Sequence, residues 1–150
     1  MTATLCNILD LPRDITQIRW VLGDQLDASH SWFETIDPSI AYVIAELRQE
    51  TDYAPHHVQK ICAFFAAMRS FADARAAEGH VVLYLDLDTT AGFDSLPLLI
   101  AELIQRNTIA HFAYQRPDEL RLLEQLAALR PPDGCALQRV ESEHFLLPFD

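Results

Sequence analysis

The sequence is poor in glycine and nearly empty of lysine: Gly23, Gly79, Gly92 and Gly134 are its only glycines, and Lys60 is its only lysine. A dinucleotide-binding unit needs closely spaced glycines between its first strand and the next helix, and a P-loop needs a comparable cradle for phosphate. Neither pattern occurs, which argues against conventional nicotinamide or ATP binding. Basic residues number 11 against 22 acidic ones, a formal charge of −11. A surface that follows a nucleic-acid backbone along its whole length needs clustered Lys and Arg, so at most a local arginine patch is left for such a role. Cys6, Cys62 and Cys135 are odd in number and far apart, and they show none of the short spacings of a zinc or iron–sulfur ligand set. They read as ordinary buried thiols in a reducing compartment. No basic segment precedes a long apolar stretch near the start, and no apolar run approaches the roughly 20 residues that cross a bilayer. The expectation is a cytoplasmic protein.

What is present is enough apolar residue for one core: half of the 150 residues are hydrophobic, which predicts a single domain. After a leader of about 16 residues, Ile18 to Leu22 reads as a short buried strand running into Gly23, Asp24 and Gln25. Ala41 to Leu47 follows the turn expected at Asp37-Pro38, and Val81 to Leu85 follows Gly79; Ile109 to Tyr114 and Cys135 to Val140 are weaker strands. The clearest helix runs from about Pro55 to Ala77, with Val58, Ile61, Cys62, Phe65, Met68, Phe71 and Ala72 as its expected packing face. Further helices are expected over Ser95 to Gln105 and Asp118 to Leu129, the latter with Leu122, Leu123 and Leu126 inward, and Asp27 to Ile36 reads as a short helix or ordered loop. Alternating strands and helices predict an α/β fold: a five-stranded, mostly parallel sheet with helices on both faces. In such a fold the loops at the carboxyl ends of the strands meet ligands. Here they hold Gly23 to Leu26, Glu46 to Tyr53, Asp86 to Gly92 and Gln115 to Asp118.

Among those loops, Arg48-Gln49-Glu50-Thr51-Asp52-Tyr53 is the densest polar segment, followed by His56, His57 and Lys60. It can offer an amide, a carboxylate and a phenol to one planar polar ligand, with Glu50 accepting from hydroxyl or ring N–H groups and Tyr53 stacking or donating. The bland alternative is a set of surface and capping residues. For Asp24 the same choice stands between a loop or capping carboxylate and a ligand contact. Asp24, Asp86 and Asp88 together suggest the acidic pocket of a phosphate receiver, but no lysine follows the fifth strand and Arg139 is a weak replacement. His56 and Lys60 share a helix face while His57 points elsewhere, so the adjacent histidines are poor evidence for a metal site. Ser29, His30 and Ser31 fix no nucleophilic triad, and Trp20 and Trp32 suit the core.

At these same segments the sequence resembles the deoxyribodipyrimidine photolyase-related family, the iron–sulfur bacterial cryptochromes and photolyases. The resemblance runs through VLGDQL at Val21 to Leu26, RQETDYAPHHVQKI at Arg48 to Ile61 and FFAAMRSFA at Phe64 to Ala72, then through YQRPDELRLLEQL and SEHFLLPFD near the end. It implies a Rossmann-like amino-terminal antenna domain over residues 1–150, of the photolyase/cryptochrome type. Its characteristic light-harvesting chromophore would be 6,7-dimethyl-8-ribityllumazine. It also implies that FAD and a [4Fe-4S] cluster belong to a helical domain following this one, which would also carry any contact with DNA. Glu50 and Tyr53 stand at positions that look like the family's lumazine contacts, the Gly23-Asp24-Gln25 loop looks like another wall, and Gln49 and Asp86 are weaker members of the same edge. On this expectation the chain alone is non-catalytic, and Phe145, Leu147 and Phe149 begin a connection to the helical domain. Two alternatives remain: a structural domain that docks the FAD-binding domain without a chromophore, and a small-molecule enzyme using Glu50, Asp24 or His56.

Overall fold

Period-two alternation sorts the strand residues onto two packed faces. The computed structural model describes residues 9–52 and 54–147. Its strands are β1 (Gln17–Val21), β2 (Ile40–Ala45), β3 (Val81–Leu85), β4 (His111–Gln115) and β5 (Ala136–Val140). They form one parallel sheet in the order β3-β2-β1-β4-β5. The helices are α1 (Arg48–Asp52), α2 (Val58–Ala77), α3 (Leu87–Thr90), α4 (Leu96–Asn107) and α5 (Leu120–Ala127).

On one face Ile18 and Trp20 of β1, Val43 of β2 and Phe112 of β4 pack with Leu99, Ile100 and Leu103 of α4 and Leu122 and Leu126 of α5. On the other, Val21, Tyr42 and Ile44 meet Met68 and Ala72 of α2, with Trp32 and Phe33 from a short 3-10 turn at Ser31–Phe33. The result is the expected three-layer, Rossmann-like α/β domain of the photolyase and cryptochrome amino-terminal type. All six residues of β2 are buried, as befits a strand covered on both faces. Four of the five in β5 are exposed.

Three details differ from the sequence reading. The long helix begins at Val58 rather than Pro55, with His57 as its cap, Nδ1 accepting from the Gln59 N–H. Val58 and Cys62 are exposed, not packed. Val58 is on the first turn, where the chain enters the helix, and Cys62 is rotated off the row Ile61, Phe64, Phe65, Met68, Phe71, Ala72 that returns to the sheet at three- and four-residue steps. Arg48–Asp52, read as loop, closes a helical turn of its own.

The chain order sets where a ligand can enter. From β1 the connections step to β2 and β3 on one side, and then cross to β4 and β5 on the other. The reversal lies between β1 and β4, and their carboxyl ends splay a crevice there.

Candidate functional site at the carboxyl edge of the sheet

A cleft of about 220 Å³ opens over that reversal point. Asp24 comes from the turn after β1, Glu50 and Thr51 from α1 after β2, and Glu119 from the entry to α5 after β4. Ile61 and Phe64 of α2 and Leu122 of α5 supply apolar walls, and His56 and Lys60 stand on the α2 side. An apolar slot with a few convergent polar groups is the usual form of a small-molecule site.

Close approach of helix and strand shapes the slot. A Cβ at Gly23 would lie 2.4 Å from Phe64 Cζ and 2.9 Å from Met68 Sδ, so the missing side chain is what lets α2 settle against the end of β1. Gln25 fixes the turn from beneath. Its Oε1 accepts from the Leu22 N–H, and its Nε2 donates to the carbonyls of Gln115 and Arg116, tying the β1 turn to the end of β4.

Glu50 is the unusual group. One of its carboxyl oxygens, Oε2, is buried with no hydrogen-bond partner. Desolvation, reinforced by the charges of Asp24 and Glu119 and only partly offset by Arg121, pushes its carboxyl up to about 8. Loss of water likewise raises Asp24, with Asp118 and Glu119 adding to the shift against its own backbone hydrogen bond and His144. Arg121 is held by Glu119 at 2.9 Å and donates to the Gln49 carbonyl. Lys60 Nζ lies 3.5 Å from His56 Nδ1.

The other residues singled out in the sequence stand elsewhere. Gln49 faces a separate hollow bounded by Leu47, Thr90 and Leu99, and its Nε2 donates to Gln125 Oε1. Asp86 caps α3, its Oδ1 accepting from the Thr89 N–H and hydroxyl. Tyr53 lies outside the described residues, as do Cys6 and Phe149. The cleft therefore brings Asp24 and Glu50 together, rests on Gly23 and Gln25, and leaves Gln49 and Asp86 outside. Glu119, Phe64 and Leu122 were not singled out for the site. Glu119 stands one residue beyond the loop marked after β4, and the apolar pair carries only a core-like signal. Among the described residues, no group of three or more His, Cys, Asp or Glu is placed to hold a metal ion, and no helix is long and apolar enough to cross a membrane.

Residues 19–150 match the family model for deoxyribodipyrimidine photo-lyase-related protein. The chain belongs to this family. A curated relative, a (6-4) photolyase of Agrobacterium fabrum (strain C58 / ATCC 33970), is 29% identical over 133 residues, which are 88% of this chain and 26% of the relative. The chain thus spans about a quarter of that photolyase's length. In this member of the photo-lyase-related family, the cleft at the β1–β4 reversal gathers Asp24, Glu50 and Glu119 at one edge of the sheet.

Proposed function

We propose that this chain is the antenna module of a photolyase-related flavoprotein and that its cleft holds a light-harvesting chromophore of the 6,7-dimethyl-8-ribityllumazine type. The buried, partnerless Oε2 of Glu50 in an open, partly apolar cleft carries the reading. A buried polar atom without a partner is costly, so a ligand able to hydrogen-bond it recovers free energy that the empty site lacks.

The donor set fits such a chromophore. Ile61, Phe64 and Leu122 would sandwich a bicyclic ring and exclude water, while Glu50 would hydrogen-bond its polar edge, as proton donor when neutral and as acceptor when ionised. The ribityl chain would leave along Asp24. When bound, the chromophore supplies absorption of a photon for transfer to a flavin held elsewhere in the parent protein. The residues of this domain bind, orient and desolvate; none makes or breaks a bond. Three cysteines cannot supply a four-cysteine cluster, so FAD, the cluster, DNA repair or photosensing, and contact with DNA are assigned to a following helical domain.

Titrating the purified chain with the lumazine tests this reading. A saturable change in chromophore fluorescence, weakened at least about tenfold by Glu50→Ala, is the expected outcome, since a hydrogen bond to a charged or buried partner is worth about 1.5–3 kcal/mol. No saturable change would leave the docking-domain alternative standing. One observation favours an enzyme instead: His56, Glu50 and Asp24 line the same cleft. On that reading the bound molecule would be recovered chemically altered, whereas an antenna returns it unchanged.

A further inference from the structure

The two tryptophans of the chain lie in the cores on opposite faces of the sheet. Trp20, only 1% exposed, is the penultimate residue of β1, in register with Val43 and Tyr114. Asp24, on the cleft wall, follows four residues later, so even along a fully extended chain the two Cα atoms are at most about 14 Å apart. Leu122 links the two places: it lines the cleft and belongs to the same apolar cluster as Trp20. Trp32 stands farther off. Phe33 beside it meets His80, which directly precedes β3, so this group lies toward the amino edge of the sheet, away from the cleft.

The surroundings of the two indoles differ as well. Trp20 packs against the Phe112 ring, with centroids 6.4 Å apart and planes tilted by 40°, inside a cluster of aliphatic and aromatic side chains. Trp32 has the Arg19 guanidinium 5.2 Å from its ring centroid and the His30 imidazole in edge contact at 5.2 Å. An imidazole in contact with an excited indole opens a charge-transfer route that a hydrocarbon shell does not. Close packing also holds the Trp20 ring in one orientation. Of the two, Trp20 is therefore both the nearer to the cleft and the better insulated.

We propose that Trp20 is a built-in ultraviolet donor: light absorbed by its indole passes by dipole coupling to the chromophore in the cleft, so the domain collects in two bands rather than one. The inference rests on the antenna reading and adds to it a light-gathering role for a side chain of the protein itself. Indole emission overlaps the absorption of a lumazine ring, and no electron or proton changes place in the transfer. Its efficiency falls with the sixth power of distance, which favours Trp20 over Trp32. Trp20 stays behind the Leu122 wall rather than lining the cleft, which spares it the direct ring contact in which electron transfer would compete.

Excitation spectra of the 150-residue chain saturated with 6,7-dimethyl-8-ribityllumazine test the donor role. Chromophore emission is expected to gain an indole excitation band that the free chromophore lacks, while indole emission falls as the site fills. That measurement needs no variant. Trp32→Phe is expected to keep most of the band, and Trp20→Phe to lose most of it with the chromophore still bound. Should Trp20→Phe fail to fold, Trp32→Phe decides alone, because Trp20 is then the sole indole. A saturable absorption change on binding without an indole band, loss of indole emission with no gain in chromophore emission, or a band that disappears in Trp32→Phe overturns the donor and leaves the antenna reading intact. Absence of any saturable change overturns the antenna reading, and the donor with it.

Discussion

Glu46 and Glu50 stand four residues apart at the end of the same strand and meet opposite fates. Glu46 is saturated. Its Oε1 accepts from the Tyr84 hydroxyl and lies 3.5 Å from Arg69, its Oε2 accepts from the Leu87 N–H, and its carbonyl accepts from Thr90 Oγ1. Burial, with the Glu46 carboxylate beside it, pushes the Tyr84 phenol far up, so it remains a hydrogen-bond donor. Glu50, one helical turn later, keeps a buried oxygen without a partner. The first carboxylate locks β2 to β3 and α3; the second is left open over the cleft. Saturation marks scaffold, and its absence beside a cavity marks a place for a ligand.

The largest expected effect breaks the saturated side. Glu46→Ala strands the Leu87 N–H and leaves the Tyr84 hydroxyl only the longer bond to the Phe65 carbonyl at 3.3 Å, and should cost about 2–3 kcal/mol in urea unfolding at pH 7; a loss under about 1 kcal/mol would show that water and the Phe65 carbonyl satisfy those donors as well as the carboxylate does. Next comes the open side. Glu50 binds a proton at higher pH in the folded chain, about 8 against an ordinary 4.5, so the folded state holds the extra proton between those values. Stability from this group is full below the lower value and falls as pH rises through the window. Glu50→Gln should therefore be near neutral in stability at pH 5 and stabilising by about 1–2 kcal/mol at pH 9, allowing for partial exposure. Parallel pH profiles for variant and parent would contradict the raised carboxyl.

Between those two acids lies the packing that shapes the cleft. Gly23→Ala should displace the Phe64 ring and press on the buried Met68, and so weaken lumazine binding about tenfold while lowering the melting temperature by a few degrees. A crystal structure of the variant would show the ring moved into the slot. The smallest effect belongs to Asp86, a capping carboxylate outside the cleft. Asp86→Ala should cost about 1 kcal/mol and leave ligand binding unchanged. The Thr89 bonds hold Asp86 below its ordinary 3.8, so its contribution is present above that value and disappears as pH falls through the lowered one. Glu50 and Asp86 thus give stability slopes of opposite sign.

Much of the scaffold was legible in the sequence because burial on both faces writes continuous apolar runs. Val81 to Leu85 coincides with β3, and the other four strands agree within a residue or two at their ends. The three-layer arrangement followed from the alternation of those runs with helices. Within the long helix, periodicity found Met68 and Ala72 but also enrolled Val58 and Cys62, which local spacing cannot tell from residues with a sheet beneath them. The one-turn helices α1 and α3 are too short to leave a periodic signal.

For the site, the sequence by itself determined the ingredients: a parallel α/β scaffold, a polar segment after its second strand, and too few glycines and lysines for a phosphate cradle. Only the tertiary structure decided the assembly. Asp24, Glu50 and Glu119 are far apart in the chain and meet because the strand order reverses between β1 and β4, bringing three loop ends to one edge. The same folding takes Gln49 and Asp86 away into hydrogen bonds of their own. Which carboxylate is satisfied and which is left open depends on neighbours supplied from distant segments, and no local pattern encodes that choice.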